Sequence, residues 1–390
     1  MDLKTRINTL LKDSSTYISL KRDPTASLQE KNNLLVEELF KIKAIDIEEK
    51  KRLFNKNTLP PKITGLHKSQ EETTSARPIC TLKNSPGYAL TRYIAEILKQ
   101  MTKNSKYNVC DALDFKSKLA QMEIEADDVL VSFHVVSLFA SIPIKLALGV
   151  IENKWHVLRD YTNIPRELFM EMLIFCLKDL SYFKFENKLY GQQKGMPLSS
   201  SLTPVLADIV MEELLDTTTE KMNVKPKILT KYVNNLFAII KKSEVETTLG
   251  LLKSHNKGIQ FTMKQEIEGR LSYLETVVIK QDNKLVMDYH FESSLQPKSS
   301  HAKTGEVFAI KVLTISDREF HENNKKKIRL ILKVNKFSYG TTNGILRCAE
   351  DRVKGNHYKM LGKMAEPNKV KGGEMSQDHR NELAQNEAAT

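Results

Sequence analysis

"ILTKYVNNLFAIIKK", residues 228–242, sets two apolar, β-rich runs on either side of a polar pair, Asn234-Asn235. The pattern predicts strand, tight turn, strand, because asparagine tolerates the left-handed backbone that short hairpin turns use. In one large class of enzymes a hairpin of this shape carries two adjacent aspartates at its tip. This one carries two asparagines. The segments around it decide whether the tip is an ordinary turn or a site stripped of its charge.

Immediately upstream, "SSSLTPVLADIVMEELLDTTTEK" predicts a helix with Ser/Thr residues for a cap and Leu206, Ile209, Val210 and Leu214 as its buried stripe. Before it, "SYFKFENKLYGQ" alternates as a hairpin around Glu186-Asn187, and Pro165 to Leu180 reads as helical. "ADDVLVSFHVVSLFASIPI", Ala126–Ile144, is the strongest strand signal, and its near-continuous Val, Leu and Phe content predicts burial on both faces. "SPGYALTRYIAEILKQM" predicts a helix with Leu90, Ile94, Ile97 and Leu98 on one face. Residues 1–55 read as helical, with Leu34, Leu35, Leu39 and Ile42 at helical spacing, until Pro60-Pro61 breaks the pattern. Downstream, a helix to about Lys253 precedes "RLSYLETVVIKQDNKLVMDYHF", which reads as further strands. Asp317 to about Lys336 predicts a basic helix buried along Ile328, Ile331 and Leu332. Lys325, Lys326, Lys327, Arg329, Lys333 and Lys336 supply its charge. The polar, weakly patterned end after Gly362 predicts a disordered tail.

Composition narrows the function classes. With 41% hydrophobic and 28% charged residues over 390 positions, the chain can bury a sizeable core divided among two or three subdomains. A formal charge of +12 and a pI near 9.2 point to a polyanionic partner, nucleic acid before a membrane surface, or more plainly to solvated lysine faces, and charge alone does not decide between the two. Cys80, Cys110, Cys176 and Cys348 lie far apart without C-x-x-C spacing, which indicates neither a zinc site nor a disulfide framework. There is no secretory signal core and no run near the ~20 apolar residues of a membrane span. These features predict an intracellular protein, nuclear or cytoplasmic, that engages no membrane.

The strand with "SFHVVSLFA", the turn-helix "YGQQKGMPLSSSLTPVLADIVME" and the hairpin "YVNNLFAII" occur in the order of a template-directed polymerase palm. A palm places one carboxylate on the strand and two on the hairpin tip. There, two Mg²⁺ ions ~3.5–4 Å apart clamp the attacking and leaving oxygens, and Mg²⁺ takes anionic oxygen ligands. The agreement extends further. "LLKDSSTYISLKRDPT", "PPKITGLHK" with "ARPI", "SPGYALTRYIAEIL", "VSFHVVSLFASIPI", "HNKGIQFTMKQEIEGRLSYLETVV" and the "SSH…EFHENNKKKIRLILKVN" region join these three. Together they resemble the reverse transcriptase domain of Penelope-like retroelements over roughly residues 10–340, in the family's order.

The resemblance implies an α+β right-hand polymerase, with fingers, a palm whose antiparallel sheet is backed by helices, and a helical thumb. The implied divisions are an N-terminal helical segment at 1–55, fingers at 56–125 and a palm at 126–290 that includes fingers helices at 160–190. A thumb-like helical region at 291–362 and the tail at 363–390 complete them. It also implies roles. Arg77, with Lys68 as a second candidate, would touch an incoming triphosphate, and Phe139 would be the aromatic gate against a ribose 2′-hydroxyl. Gln192, Gly195 and Pro197 would face the nascent base pair and template. Lys325, Lys326, Arg329 and Lys333 lie where a thumb tracks nucleic-acid backbone. Taken singly, Arg77 reads as a surface charge, Phe139 as a core aromatic, Gly195 as a helix-start turn and the lysines as a solvated face. Within the ordered set Arg77, Phe139 and Gly195 take the family role, and the lysines stay open between the two readings.

The departures carry the biochemistry. His134 stands where the family carries the strand aspartate, and Asn234 and Asn235 stand for the hairpin pair, so all three carboxylates are replaced. Carboxamides are neutral, weaker ligands, and imidazole suits softer metals than Mg²⁺. No catalytic residue is therefore expected intact and no metal or other cofactor is expected, although active relatives use Mg²⁺. Rescue by Asp127 or Asp128, ~20 Å from His134 along an extended strand, or by Asp208 or Glu212 on the helix, is disfavoured. Ser199 replaces a glycine and would intrude on template or primer, "GLHK" implies a shortened fingers strand, and Glu275 replaces an aspartate. No stretch after Lys336 resembles the endonuclease that often follows this polymerase. Two readings lead: a catalytically inactive reverse-transcriptase-like protein of retroelement origin, and a non-catalytic protein binding RNA or an RNA–DNA hybrid in the retained basic cleft. An active polymerase with unorthodox ligands and a relic without a stable fold stand behind them.

Overall fold

A computed structural model describes residues 3–66, 77–291 and 302–364 of the chain. The N-terminal segment holds α1 (Leu3–Leu11), β1 (Tyr17–Leu20), α2 (Thr25–Lys41) and α3 (Ile47–Leu53). The expectation of helix throughout fails at β1, four residues that pair antiparallel with a distant strand, Tyr17 opposite Gln192. Local periodicity holds no record of such a partner. In α2 the buried stripe is Leu28, Leu35, Val36 and Leu39, whereas Leu34 is 64% exposed and Ile42, just beyond the helix, 42%. Asp46 caps α3 by accepting a hydrogen bond from the Glu49 amide at 2.7 Å, with acids in the first turn and bases in the last.

β2 (Lys62–Leu66), β3 (Arg77–Thr81), α4 (Tyr88–Lys99), α5 (Ala112–Leu119) and β4 (Asp128–Val135) follow. In α4, Leu90, Ile94 and Leu98 are fully buried, as their spacing predicts, and Ile97 partly so. β4 is buried along nearly its whole length but ends nine residues before its predicted limit. Ser137 turns the chain with φ +49°, and α6 (Leu138–Ser141) begins. Then come α7 (Ile144–Asn153), α8 (Trp155–Leu158), α9 (Arg166–Ile174, prolonged by a π-helical turn), β5 (Tyr182–Phe185), β6 (Lys188–Gln192) and α10 (Leu202–Lys221). The remainder is β7 (Ile228–Tyr232), β8 (Asn235–Lys241), α11 (Val245–Ser254), β9 (Phe261–Gln265), β10 (Arg270–Tyr273), β11 (Thr276–Gln281) and β12 (Lys284–Tyr289). Three helices close the chain: α12 (Ala302–Ile315), α13 (His321–Val334) and α14 (Tyr339–Met364). The expected tail lies, from residue 365 on, outside the described residues. Among the described residues no helix is long and apolar enough to cross a membrane.

The chain divides into two compact units. The first comprises residues 1–106, 135–221 and 250–261. Its five-stranded sheet has the order β1-β6-β5-β2-β3, antiparallel except where Lys62 of β2 pairs in parallel with Lys184 of β5. Ile7, Tyr17, Ile63, Cys80, Phe183 and Phe185 form the core under it. α10 buries Leu206, Ile209, Val210 and Leu214, the predicted stripe.

The second unit comprises residues 107–134, 222–249 and 262–390. It holds a four-stranded sheet of order β7-β8-β4-β9 and a three-stranded antiparallel sheet, β10-β11-β12. Phe115 of α5, Phe237 of β8 and Tyr273 of β10 meet with ring centroids 4.8 to 5.3 Å apart, which ties helix and both sheets together. Val312, Leu313, Ile328, Leu332, Ile345 and Leu346 make a second core among α12, α13 and α14. Asp317, between α12 and α13, clamps the β12 edge: its amide donates to Met287 O and its carboxylate accepts from Met287 N, both at 2.7 Å. Its other oxygen pairs with Lys116 of α5 at 2.8 Å.

Candidate functional site

β4 and β8 are antiparallel with His134 directly opposite Asn235, and β7 and β8 pair Tyr232 with Asn235. The turn residues are therefore Val233 and Asn234, one place earlier than the expected Asn234-Asn235 tip, and Asn235 already belongs to the strand. Val233, not an asparagine, takes the left-handed backbone, φ +53°. The register forces it: the Tyr232–Asn235 pairing of β7 with β8 leaves only two residues to reverse the chain.

His134, Asn234 and Asn235 come together as one hydrogen-bonded set. His134 Nδ1 lies 2.8 Å from Asn235 Oδ1, an acceptor, so Nδ1 carries the proton. Asn235 Nδ2 donates to Asn234 Oδ1 at 3.4 Å. Asn234 is only 2% exposed, and its Oδ1 finds its partner within the set. Sequence reasoning missed Tyr273, whose hydroxyl donates to Asn235 O at 3.1 Å and steadies β8 from the neighbouring sheet. Its place in "LSYLET" carries no sign of a partner 38 residues upstream. A Mg²⁺ pair needs anionic oxygens. One imidazole and two carboxamides, already bonded to one another, do not fit it. Among the described residues no group of three or more His, Cys, Asp or Glu side chains is placed to hold a metal ion.

Asp127 and Asp128 are at the other end of β4, where they bind lysines. Asp128, 1% exposed, pairs with Lys227 at 2.7 Å and Lys241 at 3.0 Å, and Asp127 with Lys241 at 2.6 Å. Burial alone would raise the Asp128 carboxyl, but hydrogen bonds from Lys227, the Glu125 amide and Lys241 hold it below the ordinary carboxylate range. Glu125 shares both lysines. Asp208 and Glu212 lie on α10, in the first unit.

The first unit gathers Phe139, Gln192, Gly195 and Pro197. Phe139, partly buried on α6, accepts a hydrogen bond at its carbonyl from Met196 N at 3.1 Å. Gly195 has φ +75°, and a Cβ there would sit 2.8 Å from Ala140 O, so only glycine permits this approach to α6. Gln192 works inside the loop: Nε2 donates to the Lys194 and Met196 carbonyls, each at 2.8 Å, and Oε1 accepts from Leu198 N at 3.3 Å. Pro197 is buried beneath. Gln192 and Pro197 also line a cavity of about 30 Å³ with Cys80 and Cys176. That is room for a water or two. Burial pushes both thiols up to about 12.

Ser199 has a left-handed backbone, φ +56°, a conformation that favours glycine. Its Oγ accepts from Cys80 N of β3 at 2.9 Å. Arg77 is the first residue of β3, its side chain outside what is described, and Lys68 lies outside the described residues altogether. Glu275 pairs with Lys311 of α12 at 2.5 Å.

On α13 the five cations differ. Lys325 is 14% exposed at its side chain and bonded to Glu322 and, at 2.6 Å, to Glu350 of α14, so it ties two helices together. Lys326, Arg329 and Lys333 are exposed. Lys327 lies over the Phe291 ring, 4.7 Å from its centre.

Telomerase from Candida albicans, solved with a TWJ fragment of telomeric RNA, is similar in fold to this chain, with a TM-score of 0.53. The match has 13% identity and covers 85% of this chain and 62% of that one. The fold is polymerase-like. Apo telomerase from Candida tropicalis gives 0.53 at 11% identity, over 93% of this chain and 63% of that one. This chain thus spans less than two-thirds of either telomerase chain. An RNA-dependent RNA polymerase of BmCPV aligns over 96% of this chain and 34% of its own at 12% identity, with a TM-score of 0.48, too low to bear on the fold. No protein-family model matches the chain, and no curated protein matches it in sequence.

Proposed function

We propose that this is a reverse-transcriptase-like protein of right-hand organisation and retroelement origin, akin to Penelope-like elements, that no longer transfers nucleotides. In this reading the sheet of β4, β7, β8 and β9 is the palm. The five-stranded sheet belongs to the fingers, and α12, α13 and α14 form the thumb. The observation that carries it is the register-paired set of His134, Asn234 and Asn235, on the strand and hairpin where two-metal chemistry needs carboxylates. Phe139, Gly195 and Pro197 support the same reading by sharing one close-packed turn, and Gln192 by holding that turn's shape. Arg77 and Lys68 are proposed as triphosphate contacts.

The test is primer extension on an RNA template with Mg²⁺ or Mn²⁺, using the native protein and the triple variant His134→Asp, Asn234→Asp, Asn235→Asp. The native protein is expected to add no nucleotide, and extension by it sinks the proposal. Extension by the triple variant alone places the loss at these three residues.

A second reading, retained binding of RNA or an RNA–DNA hybrid inside the cell, is favoured by the +12 charge and by exposed Lys326, Arg329 and Lys333. Three phosphate contacts give a log–log salt slope of roughly −3, which replacement of all three by alanine should largely remove. Filter binding across salt reads this, and an unchanged slope removes α13 from the interface.

A further inference from the structure

The donor set at the β7–β8 tip disagrees with the metal chemistry of polymerase folds, and the geometry points to a different ligand. We propose that Asn235, oriented by His134 and Asn234, hydrogen-bonds a nucleic-acid phosphate directly, as an anion subsite that works without a divalent ion. This rests on the reading that the chain binds nucleic acid.

Charge comes first. Three carboxylates repel a phosphate unless cations stand between them. Here the same three positions are an imidazole and two carboxamides. The whole sheet follows suit. Across "DVLVSFHV", "ILTKY", "NLFAIIK" and "FTMKQ" the only carboxylate is Asp128. It lies at the opposite end of β4, ~20 Å along the strand, already paired with Lys227 and Lys241. The tip is left without the anionic field that makes metal ions necessary.

Orientation comes second. The Nδ1–H of His134 fixes Oδ1 of Asn235, and Asn234 Oδ1 takes one of the two Asn235 N–H groups. These contacts leave a single sense for the amide and one N–H of Nδ2 that neither partner uses. Asn235 is partly exposed, and among the described residues that N–H meets no protein acceptor. The backbone beneath is immobilised by the His134–Asn235 pairing and by Tyr273. A preset neutral donor is what a phosphate oxygen needs, and it is useless to Mg²⁺. His134 is a positioning residue, and Asn235 is the contact.

The experiment is fluorescence anisotropy of a fluorescein-labelled RNA–DNA hybrid, in EDTA and in Mg²⁺, with the native protein, Asn235→Asp and His134→Ala. Asn235→Asp keeps size and still accepts from His134 Nδ1, so the fold is expected to hold, checked by circular dichroism melting. The donor is gone and a charge is added. The native protein should bind equally with and without Mg²⁺. Asn235→Asp should lose about tenfold in EDTA, the worth of one hydrogen bond to a charged group, and His134→Ala less. Native binding that collapses in EDTA overturns the proposal, as does Asn235→Asp binding like the native protein while folded. If the native protein binds no hybrid under either condition, the nucleic-acid reading falls and this subsite with it.

Discussion

Val233 and Ser199 both hold left-handed backbone, at φ +53° and +56°, where a non-glycine residue is strained by about 1–2 kcal/mol. They differ in compensation. Ser199 Oγ satisfies the Cys80 amide, whereas a β-branched valine at a turn is held only by the pairing on either side. Val233→Asn is therefore expected to raise stability by about 0.5–1 kcal/mol, read as a higher urea midpoint at unchanged slope. At Ser199, alanine loses the hydrogen bond and keeps the strain, at a cost of about 1–2 kcal/mol. Glycine loses the same bond but relaxes the backbone, so Ser199→Gly should lie closer to the native protein. Equal losses for the two variants would show that backbone strain plays no part there.

At the scale of elements, β4 has two opposite ends: a charged start that anchors it and a neutral finish that carries the candidate site. Asp128 is the buried member of the anchor, and Asp128→Asn should cost about 2–3 kcal/mol, because both lysines lose their shielded partner. The pH dependence has a definite sign. The Asp128 carboxyl is held below its unfolded value of about 3.9, so its contribution is present above that pH and disappears as pH falls through the lower, folded value. The gap between native protein and Asp128→Asn should thus be full at pH 6 and close below about pH 4, measured by urea unfolding across pH. A gap constant with pH would mean that Asp128 acts by shape alone. The same strand shows what sequence reveals. Continuous apolar runs gave away β4 and β8, and helical spacing gave away α4 and α10, because these elements write their burial into their own residues. β1 was hidden, since only its partner β6 makes it a strand. Turn propensity points one residue too late, because the register of β7 with β8, not the preference of asparagine for turns, decides which residues reverse the chain. Ser199 was visible as an anomaly, but its role depends on Cys80, 119 positions away.

Across the whole molecule, a polymerase-like fold carries a candidate site without carboxylates, which separates two things that two-metal active sites combine. In an active site, carboxylates crowd together and metal ions offset their repulsion, so folding and metal binding are linked. Here His134, Asn234 and Asn235 are hydrogen-bonded to one another, and the three positions hold no carboxylates whose repulsion an ion would relieve. Thermal melting should expose the exchange. The native protein is expected to melt at the same temperature in EDTA and in millimolar Mg²⁺. The variant His134→Asp, Asn234→Asp, Asn235→Asp gathers three like charges at the tip and loses the hydrogen-bonded set, so in EDTA it should melt several degrees lower. Mg²⁺ should return a good part of that loss, since a ligand at about a hundred times its Kd stabilises by about 2.7 kcal/mol. This readout needs no catalysis, so it holds even if the variant extends no primer. A native protein stabilised by Mg²⁺ as much as the variant would mean that the ion binds elsewhere, and that these three residues are not what separates this chain from a metal-loaded polymerase.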